Sequence, residues 1–169
     1  FADRRIPDGL FEDPVLRGEC LSGALYLEDF RRMLQVLNCP DFRVVQTRSL
    51  SIDNPAIEAR IGMVKFSSST VRAFKLCSLE DRCEDYGQIA TYLGTIEHAP
   101  HQFLLDDHHV FETNKPMRVC GNTASMLQES SYARHFQVVG DRSHHFGLFD
   151  CGSGQGLCAE PKPEGSPCC

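Results

Sequence analysis

Residues 13–38 read DPVLRGECLSGALYLEDFRRMLQVLN, and this stretch carries the strongest helical pattern in the first part of the chain. Asp13-Pro14 is typical of a helix N-cap followed by proline at the first helical position. Gly18 can break that helix, so a second start at Gly18-Glu19 is also open and would place Cys20 in the opening turn of the main helix. Apolar residues at helical spacing then predict an amphipathic helix to about Asn38, namely Leu21, Leu25, Phe30, Met33, Leu34 and Leu37.

On either side of this stretch, the sequence predicts a loop and a strand. Residues 3–13 are polar and contain proline and glycine, which favours a loop. Residues 42–50 alternate and are rich in Val and Thr, as in a strand. A loop, helix and strand in this order are typical of the end of an α/β sheet, so we expect the rest of such a sheet upstream and a domain boundary near residue 52.

The part after residue 52 predicts a different, α+β domain over residues 53–150. Asp53-Asn54-Pro55 marks a helix start running to about Gly62, and a short helix over 123–131 has Asn122 or Thr123 as its cap. Strands separated by turn residues suggest an antiparallel meander and are predicted at 64–75, 88–96, 102–105, 110–113, 117–119 and 136–140. Residues 151–169 are rich in Gly, Ser, Pro and Glu, and we expect a flexible, Cys-rich tail.

Composition excludes several classes of function. The 169 residues carry a net charge of −6, which offers no basic surface for nucleic acid. No apolar run approaches the roughly 18 residues of a membrane helix. Nine cysteines are an odd number without a paired framework, so we expect a reducing, cytoplasmic setting. The start at Phe1, without Met or a signal region, suggests a piece of a longer polypeptide.

Cys20 is the first candidate for chemistry. A single cysteine is more often a small buried hydrophobe than a functional thiol. Here Glu19, Ser22 and Gly23 are polar or small neighbours, and a helix N-terminus would favour the thiolate through its dipole. A thiolate binds soft metals and metalloids.

The tail offers a second set of thiols. Cys168 and Cys169 are adjacent, with Cα atoms about 3.8 Å apart, whereas an unstrained disulfide needs roughly 4.4–6.8 Å, so we expect no bond between them. With Cys158 and Cys151 nearer the domain, they suit capture of a thiophilic ion or exchange with another thiol pair, and incidental cysteines in an unconstrained tail are an equal alternative.

Two further groups favour structural roles. Asp106-Asp107-His108-His109 could supply metal ligands together with Glu112, but a polar hairpin turn is the better interpretation because spacing fixes no third ligand. Cys39, Cys77, Cys83 and Cys120 lie beside apolar or turn residues and are most simply structural. Neither a nucleotide-binding glycine loop nor a Ser-His-Asp arrangement can be assigned.

Several longer segments resemble the S-adenosylmethionine-dependent arsenite methyltransferases, over nearly the whole chain and in the C-terminal half of that family. These segments are Ala2–Pro7, Asp13–Leu16, Gly18–Tyr26, Leu79–Gln88, Leu105–Glu112, Cys120–Ala124 and His145–Cys151. Ser22 stands where many members have glycine and Leu27 where an aromatic residue is common, and neither change breaks the motif.

The resemblance implies a parent enzyme that transfers methyl groups to As(III) for detoxification. Residues 1–52 would end a Rossmann-like methyltransferase domain whose S-adenosylmethionine site lies upstream. Cys20 would be one arsenic-binding thiolate, while its arsenic-binding partner and the redox cysteines would also lie upstream. Glutathione or thioredoxin would be the reductant. The chain alone would then be inactive. The alternative is a metalloid or metal sequestration module that works through Cys158, Cys168 and Cys169.

Overall fold

The computed structural model describes residues 1–151. Its helices are α1 (Asp8–Phe11), α2 (Pro14–Gly18), α3 (Leu27–Val36), α4 (Pro55–Ile61) and α5 (Gly121–Gln128). Its strands are β1 (Phe42–Leu50), β2 (Phe66–Ala73), β3 (Ile89–Tyr92), β4 (Gln102–Leu104), β5 (Val110–Glu112), β6 (Pro116–Arg118) and β7 (Phe136–Val139). The predicted α+β class is confirmed. Cys158, Cys168 and Cys169 lie outside the described residues.

Helix α2 starts where the sequence predicts. The Asp13 carboxylate accepts hydrogen bonds from the backbone N–H groups of Val15 and Leu16, and Pro14 is the first helical residue. Both features depend only on residues at the helix start, so they can be recognised from the sequence. Gly18 ends this helix and begins no second one.

The predicted continuous helix from Leu21 is wrong in its first part, since α3 begins only at Leu27. Tertiary pairing holds the intervening residues: the Ala2 N–H donates to the Leu25 carbonyl, and Ala2 forms a β-bridge with Tyr26. Leu21 packs instead against a core of Ala2, Leu16, Ile57, Ile61 and Phe66. Long-range pairing therefore prevents a helix immediately before Leu27, and the helical pattern predicts the structure correctly only from Leu27 onward.

A long antiparallel ladder joins β1 to β2, running from the Phe42–Ala73 pair to the Leu50–Phe66 pair. Helix α4, capped by Asn54, fills the connection as predicted. The ladder thus joins segments on both sides of residue 52, and the division there stays a prediction.

The second core lies in the C-terminal part, where buried apolar side chains of β3, β5 and α5 meet. Tyr92, Phe111, Met126 and Leu127 are fully buried there. The strands pair antiparallel, as predicted, but in the orders β6-β3-β7 and β4-β5 instead of as one meander. None of the helices between residues 1 and 151 has the length and apolarity to cross a membrane.

Helix α5 begins earlier than predicted, with Cys120 as its N-cap. The Cys120 Sγ accepts from the Thr123 N–H, while the predicted cap Asn122 uses its side chain on a neighbouring loop. A sulfur cap is absent from the usual preference for Ser, Thr, Asp and Asn, which explains the missed start.

Candidate functional site

Cys20 occupies the end of α2, not the start of a helix. Its N–H donates to the Arg17 carbonyl at 3.1 Å, and the next N–H, of Leu21, donates to the Leu16 carbonyl at 2.9 Å. These two bonds and a φ of 60° at Cys20 define a Schellman motif. Glycine usually fills this left-handed position, so a cysteine here is held in a conformation that costs free energy.

This placement overturns the predicted activation of Cys20 by a helix N-terminus. The residue follows a helix C-terminus, where the dipole favours cations instead of a thiolate. The residue is exposed, and the thiol is free. Backbone strain at an exposed nucleophile is a feature associated with functional sites.

Three other cysteines meet in space. Cys83 lies in the loop before β3, Cys120 caps α5, and Cys151 is the last described residue. Their Sγ atoms lie within 4.8 Å of one another. Cys120 is buried and the other two are partly buried. We call Cys83, Cys120 and Cys151 the thiol cluster.

Backbone pairing of three loops builds the thiol cluster. The Phe149 N–H donates to the Cys83 carbonyl and the Gly121 N–H to the Glu84 carbonyl, each at 2.8 Å. Gly121 has to be glycine for this approach, since a Cβ there would lie 2.8 Å from the Tyr86 ring. The Asn122 amide holds the loop preceding Cys83 through the Glu80 N–H and carbonyl, both at 2.8 Å.

Hydrogen bonding within the thiol cluster shifts the pKa values of its three thiols in different directions. The Cys151 and Cys83 thiols hydrogen-bond to its sulfur, and together with the Arg43 guanidinium and Thr123 they lower the pKa of Cys120 despite its burial. The same bonds to Cys120 raise the pKa of Cys83 and raise that of Cys151 to about 11. Among the three thiols, Cys120 is therefore the one whose thiolate form the surroundings favour.

Arg43 from β1 is the cation beside these sulfurs. Its Nη2 lies 3.9 Å from the Cys120 Sγ and 2.8 Å from an Asp41 carboxylate oxygen, and its Nη1 lies 3.3 Å from Asp106. Arg43 is 3% exposed, and within residues 1–151 its Nε has no acceptor. Two carboxylates thus already compensate one buried guanidinium, which bears on the charge the thiol cluster can accept.

The acidic and histidine segment is a hairpin turn between β4 and β5, as the sequence predicts. Asp106 accepts from the N–H groups of His108 and His109 at 2.9 and 2.7 Å, which is the local bonding of a turn. Burial opposes it, but the His109 hydrogen bond lowers the pKa of Asp106 to about 2. Ligand atoms of Asp106, Asp107 and His108 also lie within 4.8 Å of one another. Because Asp106 is engaged by Arg43 and His109, the turn is better explained as structure.

The thiol cluster is the feature that sequence reasoning missed. Cys83 and Cys120 were expected to be structural, and nothing in their local spacing links them to Cys151. One signal lies at Cys120 itself. This residue immediately precedes α5, whereas the sequence pattern predicts Asn122 or Thr123 as the cap of that helix.

The fold and these sites define an α+β domain rich in free thiols, with one exposed cysteine on a strained turn and three gathered in a cluster. The arsenite methyltransferase C-terminal domain model matches residues 86–158. By sequence and structure the chain belongs to the arsenite methyltransferase family and matches its C-terminal portion.

Individual relatives agree. An arsenite methyltransferase of Aquipseudomonas alcaligenes is 49% identical over 155 residues, covering 91% of this chain. The mouse arsenite methyltransferase is 31% identical over 139 residues. The crystal structure of an arsenic(III) S-adenosylmethionine methyltransferase from Chlamydomonas reinhardtii matches 89% of this chain with a TM-score of 0.84 and 47% identity.

The chain spans about half the length of these relatives or less. It covers 45% of the Aquipseudomonas protein, 35% of the mouse protein and 50% of the algal structure.

Proposed function

We propose that this chain is the C-terminal part of an enzyme that transfers methyl groups from S-adenosylmethionine to trivalent arsenic, and that Cys20 is one of the thiolates that hold the arsenic. The similarity to an arsenite methyltransferase over 91% of the chain supports the reaction. Two observations support the role of Cys20. The residue is exposed, and its backbone has a left-handed φ of 60°, which is strained for a residue other than glycine. A thiolate at a fixed turn would hold the metalloid in one orientation for transfer.

The described residues do not fit S-adenosylmethionine. A nucleotide-type cofactor is commonly bound where a strand leads through a glycine turn into a helix. Among residues 1–151, α4 follows β1 and α5 follows β6, and neither connection, 51–54 or 119–120, contains glycine. We therefore assign the cofactor to a Rossmann-like domain upstream, which residues 1–52 would complete. Residues 53–150 would form the separate C-terminal domain.

A reducing cytoplasm as the location of the enzyme is part of the same proposal. Free cysteines, six of them among the described residues, are the state that a reducing cytoplasm maintains. A thiol reductant such as glutathione or thioredoxin would keep Cys20 available between turnovers.

The test uses the full-length parent enzyme with S-adenosylmethionine, arsenite and a thiol reductant. For Cys20→Ser we expect the initial rate of methylarsenical formation to fall by about a hundredfold, because a misplaced reacting centre loses roughly that factor. Cys77→Ser, at another exposed cysteine, is the matched control and should retain activity. Unchanged methylation by Cys20→Ser would show that the role given to Cys20 is wrong.

The sequestration alternative stays a prediction, because Cys158, Cys168 and Cys169 lie outside the described residues. Arsenite titration of the chain with and without residues 158–169 separates the two. Loss of binding with the tail favours sequestration, whereas loss only on Cys20 replacement favours the active-site role.

A further inference from the structure

We propose that Cys83, Cys120 and Cys151 form a second arsenic site, which binds one trivalent arsenic through three sulfurs inside the C-terminal domain. The site is independent of Cys20 and of the methyl-transfer reaction. The choice of arsenic among soft centres rests in part on the proposed function, whereas the existence of a three-sulfur site rests on geometry alone.

The sulfur positions fit a single bound centre. Three Sγ atoms within 4.8 Å of one another are close to the spacing of about 3.5–4 Å that metal–sulfur bonds near 2.3 Å impose. Small side-chain rotations would close the difference. The three sulfurs come from three separate backbone segments that hydrogen bonds hold together, so the site is largely preformed.

The number of ligands favours a three-coordinate centre. Within residues 1–151 the group consists of three cysteine sulfurs and includes no fourth histidine, carboxylate or cysteine. Structural zinc requires four ligands in a tetrahedron. Trivalent arsenic forms three bonds and keeps a lone pair at the fourth position, so three thiolates complete it.

Charge favours the same occupant. Arg43 is already paired with Asp41 and Asp106, so its single positive charge is compensated before any ligand binds. Three thiolates around a divalent cation would add a further negative charge, which is costly at a buried position. A trivalent arsenic with three thiolates is neutral and adds none.

Binding is a ligand exchange without a change of oxidation state. Each As–OH bond of arsenite breaks as an As–S bond forms, and the hydroxide leaves as water with the proton of the thiol. At a cysteine already present as thiolate, solvent supplies that proton. Three water molecules are released and arsenic remains trivalent.

The first test needs no variant. The reduced 169-residue chain is alkylated with iodoacetamide, with and without arsenite, and each cysteine is quantified by mass spectrometry. Saturating arsenite should slow alkylation of Cys83 and Cys151 together by about tenfold or more, since bound ligand blocks the thiols in proportion to occupancy. Cys77, six residues before Cys83 and exposed, is the internal control and should react at an unchanged rate.

Two outcomes would overturn the proposal. The first is full reactivity of Cys83 and Cys151 in saturating arsenite. The second is protection by Zn²⁺ and not by arsenite, which would assign the cluster to a divalent ion.

A second test counts the sulfurs directly. A chain that keeps only the thiol cluster has serine at Cys20, Cys39, Cys77, Cys158, Cys168 and Cys169. X-ray absorption of its arsenite complex should show three As–S bonds, and adding Cys83→Ser should weaken arsenite binding by about tenfold or more through loss of one chelating ligand. Two or fewer As–S bonds would contradict the proposal.

The two proposals fail separately. If Cys20→Ser lowers the methylation rate of the parent by about a hundredfold while the thiol cluster is protected by arsenite, both hold. If methylation survives, only the assignment of Cys20 fails. If protection is absent, only the second site fails.

Discussion

The backbone angle φ at Cys20 changes how the role of this residue is interpreted. Its φ of 60° and the two hydrogen bonds back to Arg17 and Leu16 place it where a helix C-terminus normally has glycine. The thiol is therefore retained against a conformational cost. The sequence pattern predicts a helix N-terminus at Cys20, whereas the residue follows the C-terminus of α2.

That cost can be measured by comparing Cys20→Gly with Cys20→Ala. Glycine adopts the left-handed conformation without a Cβ clash, so its variant should exceed the alanine variant by about 1 kcal/mol in free energy of unfolding. Urea denaturation of both chains provides the comparison. Equal stabilities would show that the turn relaxes around alanine and that strain at Cys20 is negligible. Under the proposed function, both variants should lower the methylation rate by about the same factor as Cys20→Ser.

At the scale of elements, α5 is tied to its surroundings by its cap. The Cys120 sulfur accepts the Thr123 N–H at 3.4 Å and lies 3.2 Å from the Thr123 hydroxyl. The helix and the thiol cluster therefore share one atom, and the structural and chemical roles of Cys120 cannot be separated by removing the side chain.

A pair of substitutions separates the capping role from the chemical one. Cys120→Ser keeps an acceptor for the Thr123 N–H, whereas Cys120→Ala removes it. We expect the alanine variant to be less stable than the serine variant by about 1 kcal/mol, the usual contribution of an N-cap. Thermal or urea unfolding measures the difference. Both variants should lose arsenite binding at the thiol cluster, and alanine and serine variants of equal stability would show that the cap contributes nothing.

For the whole molecule, the buried ion pairs of Arg43 join parts that are distant in sequence. The guanidinium bonds to Asp41 in its own segment and to Asp106 in the β4–β5 turn, and the Asn122 amide from α5 reaches the same Asp41 carboxylate at 3.0 Å. The β1–β2 ladder and the C-terminal core are thus connected through one charged group. Its loss would affect both parts together.

The pH dependence of stability reports the ionisation of Asp106, which the His109 hydrogen bond favours most and Arg43 favours less. The pKa of Asp106 is lowered from its ordinary 3.8 to about 2 in the fold. Because the pKa is lower in the folded state, ionised Asp106 contributes about 2 kcal/mol to the free energy of unfolding. This contribution is complete above about pH 4 and is lost as the pH falls toward 2. Asp106→Asn should therefore flatten the acid limb of unfolding free energy between those values.

The control for this measurement is Asp141→Asn. Asp141 lies in an exposed loop, where its carboxylate accepts the Ser143 N–H at 2.9 Å. Asparagine keeps an acceptor there, and solvent screens the charge, so the acid limb should remain close to that of the unmodified chain. An identical acid limb in the Asp106→Asn and unmodified chains would show that Asp106 does not link folding to pH.

Local chemistry explains what could be predicted. Asp13-Pro14 and Asn54-Pro55 start helices, and the alternation over 42–50 gives a strand with the predicted bounds, because caps and strand patterns depend on adjacent residues. The start of α3 and the cap of α5 were missed because pairing with Ala2 decides the first and a sulfur acceptor replaces the usual oxygen in the second.

The sequence alone determined the α+β class, most helix and strand positions, and the resemblance that identifies Cys20 as a candidate. The position of Cys20 after a helix, and the meeting of Cys83, Cys120 and Cys151 beside Arg43, are visible in the folded chain and not in the sequence pattern. The difference arises from the distance along the chain over which each kind of interaction acts. Caps and periodicity act within a few residues, whereas a cluster of thiols depends on loop closures and hydrogen bonds between segments that no local pattern encodes.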